Sequence, residues 1–469
     1  MIEIRCKEDI YAYDMYHILK AFFPNMQMKQ TVDFNQEVLV CVILEDGVQF
    51  SIPSDLVKLC DEKKDKKHFV NRAVYKWISE YSNRELSWGI LTGIRPTKMM
   101  MKRLEEGQSE EEVCHWFEEE YFVSPKKAML GLEIAKREQG LLSQLNYEEG
   151  YSLYVGIPFC PTRCSYCSFT SQPLSEWKDK VAEYMEALYR EIDYVARVSK
   201  QKQLNTIYIG GGTPTTLTAN QLDSLLTHLE SSFSYEHLKE ITVEAGRPDS
   251  ITREKLEVLR THKIHRISIN PQTMQQKTLD IIGRKHTIEE VRETYILARD
   301  MGFSNINMDL IAGLPGEVLE DMRDTLEQIK ALAPDSLTVH SLAMKRASKM
   351  GQERVSIESG SELSEMIDMA ANYAKEMGLE PYYMYRQKNI AGNFENVGYA
   401  KVDKAGIYNI LIMEEKQSIL AVGAGASTKI VRPNDLKKKI VRVENVKDVA
   451  DYIARVDEMI ERKEEWLWH

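Results

Sequence analysis

No apolar run in this chain approaches the ~20 residues that a membrane-spanning helix needs. The opening residues Met1-Ile2-Glu3-Ile4-Arg5-Cys6 do not read as a secretory leader. Internal repeats and low-complexity tracts are missing too, which sets aside solenoid and fibrous classes. Positive charge is in deficit: 61 Lys and Arg against 72 Asp and Glu leave a formal charge of −11. That balance argues against broad nucleic-acid binding, though not against a local basic pocket for an acidic small molecule. Cysteine is scarce and odd in number, seven in 469 residues, so the expectation is a protein of the reducing cytoplasm rather than a disulfide scaffold. The remainder, 43% hydrophobic and 28% charged, is ordinary globular material in a chain too long for one core, and two or three domains are expected.

The scarce cysteines are clustered. Cys160, Cys164 and Cys167 stand at C-x3-C-x2-C spacing, directly after the apolar run Tyr154-Val155-Gly156-Ile157, which reads as a strand. Three thiolates on one short loop can hold three irons of a cubane cluster, whereas such clusters are normally held by four cysteines. With no fourth cysteine nearby, one iron would stay open, as a catalytic metal site requires. A three-ligand zinc site and three ordinary buried thiols are the alternatives. Zinc is disfavoured by the lack of a nearby fourth ligand or a second C-x2-C pair.

Three regions are expected: an N-terminal α/β domain over 1–147, a central domain over 148–348 and a C-terminal domain over 349–469. The first contains a hairpin from Glu37 to Ile52, turned at Glu45-Asp46-Gly47. It also contains the loop Trp88-Gly89-Ile90-Leu91-Thr92-Gly93-Ile94-Arg95-Pro96-Thr97-Lys98, where Arg95 and Lys98 flank a proline. That loop reads either as a turn before a helix or as a carboxylate-binding element, since arginine offers a bidentate fork. Helices are expected over 109–121 and from Pro125 to about Gln144.

From residue 150 short apolar runs alternate with long amphipathic segments, the pattern of a parallel sheet with crossover helices. Six strands are expected: Ser152–Ile157, Thr206–Ile209, Glu240–Glu244, Arg266–Ile269, Asn305–Leu310 and Ser336–His340. Six such units fit a partial (β/α)6 barrel, whose chemistry gathers at the C-terminal ends of its strands. The cysteine loop lies there. So do Gly210-Gly211-Gly212-Thr213-Pro214-Thr215, Glu244, Asn270-Pro271-Gln272, and Asp309 with Gly313-Leu314-Pro315-Gly316. The C-terminal region is expected to be α+β. Its basic aromatic stretch Tyr382–Asn389 offers Arg386 and Lys388 to carboxylates and Tyr382, Tyr383 and Tyr385 to a flat ring system, or else is a surface turn with core tyrosines. A last helix is expected around Val449, Ile453, Val456 and Ile460, with Trp466 and Trp468 docked on the body.

The cysteine spacing, with Tyr166 as the aromatic before the third cysteine, resembles the radical S-adenosylmethionine (SAM) superfamily. Together with Gly-Gly-Gly-Thr-Pro-Thr, Asn307-Met308-Asp309-Leu310-Ile311 and Gly313-Leu314-Pro315-Gly316, it resembles the oxygen-independent coproporphyrinogen III oxidase family over roughly 150–430. The loop Leu91–Lys98 resembles that family's HemZ branch. The resemblance implies a 4Fe–4S cluster on Cys160, Cys164 and Cys167. It also implies SAM chelated at the open iron and cleaved to a 5′-deoxyadenosyl radical, with one or two SAM molecules bound. It implies that Tyr154, Gly211 and Glu244 contact the cluster-bound SAM. Tyr166, Gly212, Thr213, Gln272, Arg284, Asp309 and Ala343 would line the neighbouring SAM region. The implied reaction is oxidative decarboxylation of coproporphyrinogen III propionates to vinyl groups, steered by Arg95, Lys98, Arg386 and Lys388 and fed by a donor such as flavodoxin or ferredoxin. Two departures stand out. Gly156 occupies the family's histidine position before Ile-Pro-Phe-Cys. The stretch Tyr385–Phe394 keeps Asn389 but lacks the His and the Tyr-Trp pair of the related haem-chaperone branch.

Overall fold

A computed structural model describes residues 1–57, 62–91, 93, 95–343, 348–350, 360–386, 394–432 and 440–468. The chain divides into two compact units. One comprises residues 1–135, 359–364 and 384–395; the other comprises 136–358, 365–383 and 396–469.

The first unit holds a four-stranded sheet of β1 (Ile2–Cys6), β2 (Met28–Val32), β3 (Val38–Ile43) and β4 (Gln49–Pro53) in the order β2-β1-β3-β4. Strict alternation in β1 buries Ile2, Ile4 and Cys6 and turns Glu3 and Arg5 outward. Those buried side chains meet Met15, Ile18, Leu19 and Phe22 of the helix Asp9–Phe22, and Val70, Val74 and Ile78 of the helix Lys63–Ser82, in one core. The expected hairpin is β3–β4, and Gly47 at its tip has φ +86°, a conformation glycine adopts without a Cβ penalty. The helix Glu110–Tyr121 begins at a reciprocal cap between Ser109 and Glu112. The helix Pro125–Leu142 follows with proline at its first position.

The second unit is organised on β5 (Gly150–Ile157), which leads into the cysteine loop. That loop carries a minimal pair, β6 (Phe159–Cys160) and β7 (Gln172–Pro173). Then come β8 (Gln203–Gly211), β9 (Glu240–Glu244), β10 (Arg266–Ser268), β11 (Ile306–Ala312) and β12 (Ser336–Ser341). They pair in parallel in chain order from β5 to β12, so all six expected strands form one parallel array. Their interiors are buried almost throughout, the mark of strands covered on both faces. The crossover segment expected from Glu176 starts as a short helical turn at Leu174–Trp177. It becomes regular over Val181–Val198, burying Val181, Met185, Leu188, Ile192 and Val195.

Five later strands extend the sheet: β13 (Glu380–Arg386), β14 (Glu395–Ala400), β15 (Ser418–Val422), β16 (Ser427–Val431) and β17 (Ile440–Glu444). The full order is β13-β14-β12-β11-β10-β9-β8-β5-β15-β16-β17, an open sheet. β14 runs antiparallel to β12, whereas β15 lies parallel to β5 and so adds a seventh parallel strand.

The C-terminal helix expected as one segment is two, Val449–Ala454 and Val456–Glu464, broken at Arg455. Its buried face carries Val449 and Val456 as expected, together with Tyr452, Met459 and Lys463, while Ile453 and Ile460 are half-buried. Trp468 docks as expected, its indole donating to Ser199 Oγ at 3.1 Å and its ring meeting Tyr151 edge-on. Among the described residues no helix is long and apolar enough to cross a membrane.

Candidate active site

The cysteine loop leaves β5 at its C-terminal end and is braced by loops from the next three strands. After β8, the Gly212 amide donates to Ile157 O at 2.8 Å and the Thr213 amide to Phe159 O at 2.7 Å. A Cβ on Gly212 would fall 2.5 Å from Phe159 O, so only glycine permits this approach. After β9, the turn Gly246-Arg247-Pro248-Asp249 sends the Arg247 guanidinium to Thr162 O and Oγ1, at 3.3 and 3.2 Å. After β10, the Ser165 amide donates to Ile282 O at 3.0 Å, and Arg284 donates to Tyr166 Oη at 3.1 Å.

Each of the three sulfurs meets a polar group from the chain. Thr213 Oγ1 donates to Cys160 Sγ at 3.5 Å, Arg247 Nη1 donates to Cys164 Sγ at 3.7 Å, and Ser171 Oγ lies 3.8 Å from Cys167 Sγ. All three cysteines are free thiols. Burial pushes the Cys160 and Cys167 thiols up, only partly offset by the Thr213 hydroxyl at the first and the Phe169 amide at the second. Among the described residues no three His, Cys, Asp or Glu side chains converge as one ion would require. The thiolates of a cubane cluster reach three separate irons, and half-buried sulfurs that accept hydrogen bonds are the donor set such a cluster takes.

Beside the loop, the sheet register places Tyr154 of β5 opposite Tyr208 of β8 and opposite Ala421 of β15. The rings of Tyr154 and Tyr208 stack at 6.2 Å, and Tyr208 stacks on Tyr408 of the helix Ile407–Glu414 at 4.4 Å. Tyr208 Oη donates to Glu244 Oε1 in a short hydrogen bond. Gly210 makes room for this: a Cβ there would lie 2.9 Å from Glu244 Cδ. Burial raises the Glu244 carboxyl to about 7, with Asp309 adding to the rise, while the Tyr208 hydroxyl, the Gly211 amide and Arg266 oppose it. Asp309 goes the other way. Burial acts to raise it, but His340 (3.8 Å away), Asn307 (donating at 2.7 Å) and Arg266 together hold it below the usual range. Two carboxyls in one mouth thus titrate apart, the arrangement that separates proton-bearing from charge-bearing roles.

The raised Glu244 carboxyl predicts a pH-dependent stability. Its ordinary value of 4.5 becomes about 7 in the folded chain, so between those values the folded state binds the extra proton. Stability therefore falls as pH rises from 4.5 to about 7 and levels off above. Glu244→Gln removes that slope, which denaturant midpoints of the metal-free chain across this range will show.

Most residues expected at the site are brought together here. Gln272 is 9% exposed at φ +72°, a left-handed conformation fixed by its amide donating to Asp309 O and its carbonyl accepting from the Ile311 amide. Such strain in a non-glycine residue concentrates at functional sites. Ala343 follows the end of β12, where the Leu342 amide donates to Ala312 O. Arg284 is 4% exposed, and besides Tyr166 it donates to Gly246 O and Asn270 O, at 2.9 and 2.6 Å. It ties β9 and β10 to the cysteine loop. Arg95, Lys98 and Arg386 belong to the other unit. There Arg386 is buried against the Trp88 ring and donates to Leu91 O at 2.7 Å, so its guanidinium fastens the loop that leads to Arg95 rather than facing solvent. Lys388 lies outside the described residues. Tyr382 and Tyr383 are core side chains: Tyr382 Oη accepts from Asn409 Nδ2, and the Tyr383 ring lies over Gly398.

Four residues escaped the sequence reading: Tyr208, Arg247, His340 and Tyr408. Tyr208 had a readable signal, since period-two alternation puts it on the face of Gly210. Arg247 had none beyond its turn.

The segment 154–329 matches the model of the radical SAM superfamily. The chain is 40% identical over 447 residues to the oxygen-independent coproporphyrinogen-III oxidase-like protein HemZ of Bacillus subtilis, covering 94% of this chain and 88% of that protein. The chain belongs to the oxygen-independent coproporphyrinogen III oxidase-like family. It is also 30% identical over 280 residues to the heme chaperone HemW of B. subtilis, covering 59% of this chain and 70% of HemW. The solved structure of coproporphyrinogen III oxidase (HemN) from Escherichia coli shares the fold, with a TM-score of 0.54 at 23% identity over 69% of this chain and 73% of that one. Membership of the coproporphyrinogen oxidase-like family within the radical SAM superfamily implies a 4Fe–4S cluster and SAM.

Proposed function

We propose that this protein is a radical SAM oxidoreductase that converts propionate side chains of coproporphyrinogen III, or a closely related porphyrinogen, to vinyl groups. One observation carries the reading: the cysteine loop, with a polar partner at every sulfur, sits at the C-terminal ends of parallel strands in a chain 40% identical to HemZ. Cys160, Cys164 and Cys167 would hold the cluster, which with SAM bound supplies reductive cleavage to a 5′-deoxyadenosyl radical.

The rest falls to the chain's own side chains. Tyr154, Gly211 and Glu244 would contact SAM at the open iron, and Tyr208 holds the Glu244 carboxyl in place for ribose hydroxyls. Tyr166, Gly212, Thr213, Gln272, Arg284, Asp309 and Ala343 would line the adjoining region, where the family can hold a second SAM. Asp309, kept ionised beside His340, suits hydroxyl or ammonium donors. A one-electron carrier of the flavodoxin or ferredoxin kind would supply the electron for SAM cleavage, and a one-electron acceptor would take the electron released when each substrate radical loses carbon dioxide to form its vinyl group.

The similarity to HemW supports a second reading, a haem-carrying protein that keeps the cluster and decarboxylates nothing. The stretch Tyr385–Phe394 counts against it, since it lacks the His and the Tyr-Trp pair of that branch. A third reading is radical chemistry on haem itself, methyl transfer with ring opening. An anaerobic comparison separates the three: the reconstituted protein is offered coproporphyrinogen III or haem with SAM and a strong reductant, and products are weighed by mass spectrometry. Loss of carboxyl groups from the porphyrinogen is expected. Stoichiometric haem binding without any product favours the carrier, and a changed haem mass favours the third reading.

A further inference from the structure

We propose that Arg247 is a positioning residue that fixes the Thr162–Cys164 turn and, through the Cys164 sulfur, raises the electron affinity of the cluster. The inference rests on the cluster reading above and goes beyond it by assigning the control of the cluster's potential to one side chain.

Arg247 is 3% exposed, and its donors diverge. Nε and Nη2 grip the Asp249 carboxylate at 3.0 and 2.7 Å, a bidentate fork that locks the guanidinium plane. Nη1 and Nη2 reach Thr162 Oγ1 at 3.2 Å, Nη1 reaches Thr162 O at 3.3 Å, and Nη1 reaches Cys164 Sγ at 3.7 Å. The turn that carries Arg247 is itself pinned. Ser250 Oγ donates to Arg247 O at 2.7 Å and lies 2.6 Å from Thr215 Oγ1, and Lys255 Nζ donates to Thr215 O and Ser250 O. The fork therefore cannot follow a displaced cysteine loop; it dictates where the loop sits.

The three sulfurs are not equivalent. By hydrogen bond, Cys160 and Cys167 meet neutral hydroxyls, whereas Cys164 meets a cation; the charges of Arg163 and Arg284 act on Cys167 and Cys164 from farther off, without a hydrogen bond to sulfur. Arg284, the other buried cation by the loop, directs its hydrogen bonds to Tyr166 Oη and two carbonyls instead of a sulfur. His286, buried in the same segment, is held neutral, pushed down to about 3 by burial and by Arg284 and Arg247. Hydrogen bonds and positive charge at a ligating sulfur withdraw electron density and favour the reduced cluster.

The test is a redox titration of the reconstituted protein followed by EPR, with iron content measured alongside. Arg247→Gln is expected to load iron and to lower the reduction equilibrium about tenfold, a shift of about 59 mV to more negative potential for one electron. Arg247→Lys restores part of the shift, since it keeps the charge but not the fork. Asp249→Asn moves the potential the opposite way, because Arg247 loses its counter-charge. Arg247→Gln with full iron and the wild-type potential overturns the proposal. If Arg247→Gln fails to load, Asp249→Asn decides alone, and no upward shift there overturns it. A wild-type chain that takes up no iron overturns the cluster reading, and this inference with it.

Discussion

Cys164→Ala abolishes iron–sulfur incorporation: after anaerobic reconstitution the variant holds iron at the level of a chain stripped of all three cysteines, lacks the broad visible absorbance of a cluster, and cleaves SAM no faster than buffer. With three thiolates and no fourth cysteine in the loop, removing one leaves two ligands on a site that four normally serve. The effect is local. Cys164 is only half-buried and its partner Arg247 keeps Asp249 and Thr162, so the variant folds with its secondary structure unchanged. A Cys164→Ala protein that still produced 5′-deoxyadenosine would remove the cysteine loop from the reaction.

The largest stability effect lies away from the chemistry, at the Glu191–Lys463 pair. Both side chains are fully buried, with Nζ 2.6 Å from Oε1. Glu191 also accepts from the Gly423 amide, Asn445 Nδ2 and Tyr452 Oη at 2.6–2.8 Å. It thereby joins the first crossover helix, the glycine loop after β15 and both C-terminal helices. Lys463→Met leaves the carboxylate buried without its cation and costs about 3–5 kcal/mol. Glu191→Leu costs at least as much, because it strands Lys463 and orphans three further donors. Urea unfolding of the second unit measures both. Losses under about 1 kcal/mol would mean that the pair is solvated or that its neighbours relax to replace it.

The parallel array was legible because six short strand-like runs, rich in Ile, Val, Leu and Thr, alternate with helix-period segments, the pattern of a parallel sheet with crossover helices. The same logic missed β15. Ser418–Val422 is equally apolar, but its parallel partner β5 lies more than 250 residues earlier, and nothing local distinguishes that pairing from a hairpin with β16. The site was legible where chemistry demands rare residues at fixed spacing, as in the three cysteines and the glycine run. Nothing local in the sequence shows what Arg386, offered as a carboxylate-binding residue, packs against. Arg386 sits at the end of a strand whose alternation buries it, and the carbonyl it holds comes from a loop near residue 91. Tyr382 and Tyr383 lie in the core, the second of the two readings that the stretch allowed. Arg247 could not be read at all, because its role follows from the folding of one turn against another.

The reconstituted wild-type protein is reduced anaerobically with SAM and coproporphyrinogen III, and 5′-deoxyadenosine is counted against decarboxylated porphyrinogen. The expected result is deoxyadenosine formed in step with loss of carbon dioxide from the propionates, both absent in Cys164→Ala. Deoxyadenosine released while every propionate stays intact would contradict it, and would place the substrate of this radical SAM site outside the porphyrinogens.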